Sequence, residues 1–334
     1  INMYKLLFSA TMILGSLITL SANSWVSMWI GLEINLISII PLMKNKKNMM
    51  ESEAAMKYFI TQAMASSILL FSILMMLKFN QQEEYIKIMN ISMDSAILTK
   101  MGAAPFHFWF PEVIQGLSWL NSLIMMTWQK IAPMVMFSYT EKTNLMMTIV
   151  ILTSMVISGI MGINQTSLRK ILAYSSINHI GWMMAALMTN QSTWTMYMMI
   201  YSLMTMNMIL MFKMMNIYSV NQMINSMNKN KTIKIMFSLN FLSLGGIPPF
   251  IGFLPKWITI NEMINKKMFA LTLIMIVLTL MTLFFYMRVT FTSMVMENSE
   301  SKMIKPNMNL NKIMISNFIL ISSLSMCTMI FSSA

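Results

Sequence analysis

The sequence predicts an all-α polytopic membrane protein, and two observations carry this prediction. Of the 334 residues, 57% are hydrophobic and only 10% are charged, whereas soluble domains carry about 25% charged residues. Apolar runs of about 20 residues also recur along the chain, and each is long enough to cross a ~30 Å hydrocarbon layer as a helix. A soluble globular protein is therefore excluded.

The apolar runs between polar breaks predict eleven transmembrane helices. Their limits are 4–22, 24–43, 53–79, 88–111, 117–139, 145–163, 168–189, 193–216, 233–264, 268–294 and 311–332. With these spans, eleven loop Lys and Arg residues lie on the side of the N-terminus and five lie opposite. The positive-inside rule then places the N-terminus on the inner side, and the odd helix count places the C-terminus outside.

Composition separates this chain from other basic proteins. The net charge of +12 comes from lysines in short loops, which indicates membrane orientation and not nucleic-acid binding. The 48 Met and only two Arg are typical of an A+T-rich mitochondrial genome that reads an Ile codon as Met, and Ile1 fits a translated non-AUG start. A Met-rich adaptable core is the alternative explanation. The single cysteine, Cys327, excludes an internal disulfide.

Two predicted helices, the fourth and the ninth, share an interrupting motif. Residues 102–112 align without gaps to 246–256, with four of eleven positions identical in the pattern Gly-x-x-Pro-Phe-x4-Pro. The two helices are five positions apart in the helix order, an odd number, so they cross the membrane in opposite directions. We therefore predict an antiporter-like inverted repeat of two five-helix halves, 1–139 and 145–294, followed by a loop and eleventh helix in 295–334. Simple kinks without function are the alternative.

Four ionisable residues lie near the middle of predicted spans, where a charge is costly unless it is paired or hydrated. They are Glu33, Lys100, Lys130 and Lys256. One carboxylate and three amines are sufficient for a proton relay, because a carboxylate that approaches or leaves an amine switches it between holding and releasing a proton. A static ion pair or a lysine that snorkels to the interface are the alternatives.

The two histidines have different surroundings. His179 lies beside hydroxyl and amide residues in the seventh predicted helix and is a candidate to pass protons between Lys130 and Lys256, the alternative being a neutral core histidine. For His107, between aromatic residues, we favour a packing role. Other charged residues lie near predicted helix ends: Lys57, Lys213 and Arg288 as interfacial anchors, together with Asp94 and Glu112.

Motifs for nucleotide, flavin or metal are missing from the sequence: it has no G-x-x-x-x-G-K-[ST] loop, no G-x-G-x-x-G after a strand and no Cys/His metal spacing. We therefore expect no cofactor and no metal in this chain.

Several blocks together resemble the chain 2 family of mitochondrial NADH:ubiquinone oxidoreductase, and the insect members are closest in character. The blocks are WIGLEIN (29–35), EAAMKYF (53–59), GAAPFHFW (102–109), TWQK (127–130), NQTSLRKILAYSS (164–176) and LSLGGIPP (242–249). Matching segments as a whole run from the first helix to about Arg288. The last ~40 residues match mainly in hydropathy.

The resemblance implies an antiporter-like, proton-translocating subunit of respiratory complex I in the inner mitochondrial membrane, with the N-terminus in the matrix. Animal members have eleven helices, and their channel residues, a Glu on the second helix and Lys on the fourth, fifth and ninth, match Glu33, Lys100, Lys130 and Lys256. NADH, FMN, iron–sulfur clusters and ubiquinone are then expected in other subunits. Expected partners are the other antiporter-like chains, chain 4L, supernumerary subunits and phospholipids including cardiolipin.

Two rival functions are a stand-alone cation/proton antiporter and a structural anchor of the membrane arm that pumps nothing. Either direction of lateral proton transfer fits the residues.

Overall fold

The computed structural model describes residues 3–44, 48–79, 83–140, 144–227, 231–248 and 250–295. Within these ranges the regular structure is α-helical, apart from an isolated antiparallel bridge between Ser167 and Ser219. The predicted eleventh helix, together with Pro249 and Cys327, lies outside the described residues.

The helices follow the predicted apolar runs closely. They are α1 (Met3–Ser21), α2 (Trp25–Met43), α3 (Met49–Lys78), α4 (Glu83–Met101), α5 (Trp109–Gly116), α6 (Trp119–Met126), α7 (Trp128–Tyr139), α8 (Asn144–Ile163), α9 (Leu168–Thr189), α10 (Gln191–Met215), α11 (Val220–Met227), α12 (Lys231–Gly245), α13 (Phe253–Asn265) and α14 (Phe269–Val295). Six of the described helices are long and apolar enough to span a membrane: α1, α2, α3, α8, α10 and α14. The protein is therefore an all-α membrane protein.

The chain divides into two compact units, Ile1–Met146 and Met147–Ala334. In the first unit, α1 packs on α2 at very short range, because a Cβ added at Gly31 would lie 2.8 Å from the carbonyl oxygen of Gly15. Small residues of this kind let membrane helices approach closely. An apolar cluster that includes Met12, Ile39 and Tyr58 joins α1, α2 and α3 to α5 and α6.

The predicted ninth helix, 233–264, is divided into two shorter helices. The predicted fourth helix, 88–111, is also divided, but its second piece begins only at residue 109 and continues five residues past the predicted end. Helix α4 ends at Met101 and α5 begins at Trp109, while α12 ends at Gly245 and α13 begins at Phe253. The aligned glycines, Gly102 and Gly246, follow α4 and α12 with φ of 72° and 79°.

Both ends have the same hydrogen-bond pattern. Gly102 N–H donates to Thr99 O and Ala103 N–H to Leu98 O, at 3.2 and 3.1 Å. In the second unit Gly246 N–H donates to Ser243 O and Ile247 N–H to Leu242 O, at 3.0 and 3.4 Å. These paired bonds form a Schellman motif, which requires a left-handed residue after the helix and so favours glycine there.

A further interruption was not predicted from the sequence. We expected one continuous helix over 117–139, but α6 ends at Met126 and α7 begins at Trp128. Thr127 lies between them with φ −113° and ψ −71°, and its hydroxyl donates to Leu123 O at 2.8 Å. Pro133 inside α7 has no N–H for the helical bond to Gln129, so the first turns of α7 are weakly held.

In the second unit, α9 packs against α10, α13 and α14 and is buried over most of its length. The short helix α11 occupies part of the stretch between the eighth and ninth predicted spans, where the sequence predicted only a loop. Arg288 donates to Ile163 O at the end of α8, and Lys266 to Met188 O at the end of α9. Cations at helix C-termini satisfy carbonyl groups that lack helical partners.

Candidate functional site

The first unit brings Glu33 on α2 beside Lys100 in the last turn of α4. Lys100 Nζ lies 3.9 Å from Glu33 Oε1, and the two side chains are 4% and 24% exposed. The distance is that of a charge pair and exceeds that of a hydrogen bond, and Glu33 Oε1 is buried without a hydrogen-bond partner among the described residues. A movement of about 1 Å towards each other would bring the two groups to hydrogen-bond distance.

Side chains from α3 and α5 form hydrogen bonds with the backbone of α4 next to this pair. Gln62 on α3 donates its side-chain amide to the carbonyl oxygen of Lys100 at 3.5 Å. The Trp109 indole N–H of α5 donates to Thr99 O at 3.0 Å, across the gap left by the interruption. The carbonyl groups at the open end of α4 thus receive side-chain partners, as an interrupted membrane helix requires.

Lys130 lies in the first turn of α7, directly after the interruption at Thr127. Its side chain is buried, and Nζ lies 5.1 Å from the centroid of the Phe110 ring on α5. A cation at this distance over an aromatic face is stabilised by the ring quadrupole. The neighbouring residue Gln129 donates to Asn35 Oδ1 at 2.8 Å, and Asn35 follows Glu33 by two positions. This bond fixes α7 to the part of α2 that carries the carboxylate.

In the second unit, Lys256 occupies the first turn of α13. Its buried Nζ donates to Gly245 O, the last carbonyl of α12, at 2.7 Å. A Cβ at Gly246 would lie 2.9 Å from Nζ, so the glycine is needed both for its φ and for space. The negative end of the α12 dipole thus faces the amine.

His179 lies on α9, on the same side as the contact with Lys256. Lys256 Nζ is 5.9 Å from the ring centroid of Trp182, which follows His179 by three positions. His179 Nδ1 hydrogen-bonds the Tyr197 hydroxyl on α10 at 2.9 Å, and the Tyr201 ring packs against the imidazole in a tilted arrangement, at 4.9 Å between centroids. The predicted relay residues each lie close to a charged, polar or aromatic partner, and all of them are buried except Glu33, which is partly exposed: Lys100, Lys130, His179 and Lys256.

The other ionisable residues named from the sequence make surface ion pairs or packing contacts, except Asp94. Lys57 is exposed and pairs with Glu53 at 3.0 Å and Glu112 at 2.9 Å. Glu112, which aligns with Lys256 in the repeat, is thus a surface partner of Lys57. His107 is buried beside Phe108, and Nδ1 lies 3.3 Å from Pro105 O. Asp94, which we had placed only near a helix end, is buried inside the first unit.

Sequence reasoning missed Asn35, Gln129 and Tyr197 as neighbours of the relay residues. Asn35 and Gln129 stand out in retrospect as amides within apolar spans, which need partners in a membrane. Tyr197 gives no such signal, because a tyrosine in an apolar helix is usually a core residue.

Proton transfer is the chemistry that these groups allow. Carboxylate, amines and imidazole each gain or lose a proton, and burial makes their charges sensitive to neighbours. Among the residues that the structure describes, no group of three His, Cys, Asp or Glu side chains is arranged to hold a metal ion. The expectation that cofactors bind elsewhere stays a prediction.

The chain is similar to known proteins both in sequence and in fold. The family model described as NADH:quinone oxidoreductase/Mrp antiporter, TM, matches residues 22–282. NADH-ubiquinone oxidoreductase chain 2 of Anopheles gambiae is 48% identical over 97% of both chains, and that of Locusta migratoria is 44% identical over 94% of this chain and 92% of the relative.

Two solved structures show the same fold at low sequence identity. A chain of respiratory complex I from Thermus thermophilus with bound aureothin has a TM-score of 0.85 at 21% identity, covering 96% of this chain and 78% of that one. A chain of the Mrp complex from Dietzia has a TM-score of 0.78 at 13% identity, covering 97% and 75%. The chain belongs to the NADH:quinone oxidoreductase/Mrp antiporter membrane family and, within it, to the NADH-ubiquinone oxidoreductase chain 2 proteins.

Proposed function

We propose that this chain is a proton-translocating membrane-arm subunit of respiratory complex I in the inner mitochondrial membrane, with its N-terminus in the matrix. NADH oxidation and ubiquinone reduction take place in other subunits, which hold the flavin, the iron–sulfur clusters and the quinone. The observation that carries the proposal is the Glu33–Lys100 pair, in which a partly buried carboxylate and a buried amine face each other at 3.9 Å without a hydrogen bond. Relatives named chain 2 support the assignment to this complex.

The proton path begins at the Glu33–Lys100 pair. When Glu33 lies close, Lys100 keeps its proton, and when Glu33 moves away, Lys100 releases it. Lys130 is the central relay of the first unit, and the relay continues in the second unit with His179 and Lys256. The hydrogen bond from Lys256 to a helix-terminal carbonyl supports a protonated resting amine there.

The proposed architecture has eleven transmembrane helices, of which 1–139 and 145–294 form the inverted repeats and 295–334 holds the last helix. The Schellman motifs at the aligned Gly102 and Gly246 support the repeat, since two unrelated kinks need not share a hydrogen-bond pattern. In the assembled arm, the neighbours are the other antiporter-like chains, chain 4L beside the first half, and supernumerary subunits. Phospholipids, cardiolipin among them, cover what remains of the apolar surface.

Single substitutions in each unit test the relay. Lys130→Met and Lys256→Met remove one buried amine each, while Lys57→Met removes an exposed amine and serves as the matched control. In complexes reconstituted into proteoliposomes, we expect the first two variants to lose NADH-driven acidification and the control to keep it. Assembled complexes that pump normally without either amine would contradict the relay and favour the structural anchor.

A separate measurement addresses the stand-alone antiporter. Vesicles that contain only the purified chain are given a sodium or potassium gradient, and the internal pH is followed. We expect no exchange. Cation-driven pH change by the isolated chain would favour the antiporter function.

A further inference from the structure

The first unit contains a buried carboxyl group that the relay described above does not use. Asp94 is the only aspartate in the chain, lies on α4 six positions before Lys100, and is 2% exposed. Its Oδ1 is buried without a hydrogen-bond partner, and it makes no ion pair within the described ranges. A buried carboxylate without a cation is strongly unfavourable, whereas the neutral acid is tolerated.

The polar contact of Asp94 is with the side chain of Thr140, just after α7. The Thr140 hydroxyl also donates to Phe137 O at 3.0 Å. Because a hydroxyl group has one proton, both contacts are satisfied together when Asp94 carries a proton and donates it to Thr140. When Asp94 is ionised, the Thr140 hydroxyl can instead turn and donate to the carboxylate, so Thr140 can serve both forms of Asp94.

The titratable groups on the elements packed against α4 leave Asp94 without a charged partner. On α3 they are Glu51, Glu53, Lys57, Tyr58 and Lys78, and on α7 they are Lys130 and Tyr139. On α4 itself they include Glu84, Tyr85, Lys87 and Lys100. The described ion pairs of these groups involve Lys57 and Lys100, and neither pair includes Asp94.

Thr140 also lines a cavity of about 530 Å³. The cavity lies where α1 gives way to α2, where α3 and α7 end and where α4 begins, and its polar lining includes Ser24, Asn90 and Tyr139. Asn90 precedes Asp94 by one helical turn and so lies on the same face of α4. The volume is sufficient for several water molecules at about 30 Å³ each. Water that fills the cavity would contact Thr140, the hydrogen-bond partner of Asp94.

Between Asp94 and Lys100, α4 carries no ionisable side chain, and the hydroxyl groups of Ser95 and Thr99 donate to the backbone carbonyls of Ser92 and Ala96. Six residues of helix separate their Cα atoms by about 9 Å along the axis, and the intervening Ile97 and Leu98 are fully buried. Exchange with the cavity through Thr140 is therefore the short route for Asp94, and exchange with Lys100 is the longer one.

We propose that Asp94 is a proton-exchange site that connects the Glu33–Lys100 pair to water in this cavity, at the end of the first unit away from the N-terminus. Protonated Lys100 gives its proton to the Asp94 carboxylate and becomes a neutral amine, and the resulting acid later gives the proton to a water molecule of the cavity and becomes a carboxylate again. This inference rests on the proposed function, because it adds an opening to the proton path of the first unit.

Carbodiimide labelling tests the protonation of Asp94 directly, because dicyclohexylcarbodiimide reacts with protonated carboxyl groups in apolar surroundings. Cleavage after Lys87 and Lys100 gives the peptide 88–100, whose single acidic side chain is Asp94. The neighbouring peptide contains the exposed Glu84 and serves as an internal control. In the assembled complex we expect the adduct on 88–100 and not on Glu84, and less adduct in Thr140→Val. An unmodified 88–100 peptide in the wild-type complex would overturn the proposal.

Pumping measurements then test whether the site takes part in transfer. Asp94→Asn keeps the shape of the neutral acid and removes the exchangeable proton, Asp94→Glu restores a carboxyl group, and Glu84→Gln is the matched control. We expect Asp94→Asn to slow proton translocation at least tenfold and Asp94→Glu to restore much of the rate. The control, Glu84→Gln, should pump at the wild-type rate. Normal pumping by Asp94→Asn overturns the proposal, and the relay itself stands if Lys100→Met fails in the same assay. If Asp94→Asn does not assemble, the carbodiimide labelling of peptide 88–100 and the pumping rate of Asp94→Glu test the proposal instead.

Discussion

Replacement of Lys100 by methionine is the sharpest test of the Glu33–Lys100 pair, because it removes the charge and keeps most of the volume. At 3.9 Å, two unit charges attract by about 4 kcal/mol at an effective dielectric constant of about 20. Each 1.36 kcal/mol corresponds to a factor of ten, so the full loss is about a thousandfold change in the equilibrium between the charge states. Glu33 is partly exposed, and solvent recovers some of this energy. We therefore expect coupled quinone reduction to fall at least tenfold.

The assay compares wild type, Lys100→Met, Glu33→Gln and the double variant in assembled complexes, with Lys57→Met as the control. Surface pairs such as those of Lys57 contribute about 0–1 kcal/mol, so the control should behave as wild type. If the two charges act as one unit, the double variant should lose no more activity than the worse single variant. A normal proton-to-electron ratio in assembled Lys100→Met would refute the argument, as would fully additive losses.

Three further predictions concern other parts of the chain. Tyr197→Phe removes the 2.9 Å hydrogen bond to His179. We expect the free energy of unfolding, measured by thermal unfolding, to fall by about 1 kcal/mol and proton pumping to slow, while the complex still assembles. Gly246→Ala introduces a Cβ at a φ of 79° and 2.9 Å from Lys256 Nζ; we expect it to reduce pumping more than Gly245→Ala, whose Cβ has at least 3.6 Å of space. The purified chain should show no flavin absorbance and contain no iron, and stoichiometric amounts of either would show that the cofactor prediction is wrong.

The elements that could be predicted from the sequence depend on local composition. Apolar runs give the spans, and Gly102 and Gly246 mark interruptions because few other residues adopt a left-handed backbone. The interruption at Thr127 has no such marker. Pro133 lies six residues downstream and is compatible with a continuous, kinked helix as well as with two helices, so composition alone does not decide.

Site residues were predictable by type, and their partners were not. A charge within an apolar run is conspicuous, which is why Glu33, Lys100 and Lys130 could be named. The 3.9 Å between Glu33 and Lys100 depends on the packing of separate helices, and no local pattern contains that information. Asp94 illustrates the same limit, because its hydrogen-bond partner, Thr140, lies 46 positions away in the sequence.

Helix α9 has a consequence for how the protein enters the membrane. It is buried on almost every side and carries Ser175, Ser176, Asn178 and His179, and it is absent from the set of described helices that are apolar enough to span alone. Such a segment partitions poorly into lipid by itself, since each polar group needs a partner. Two of its packing neighbours, α13 and α14, are synthesised after it. Insertion of α9 must therefore be completed late, by the helices that follow, and truncations before Phe253 should leave it unable to remain in the bilayer.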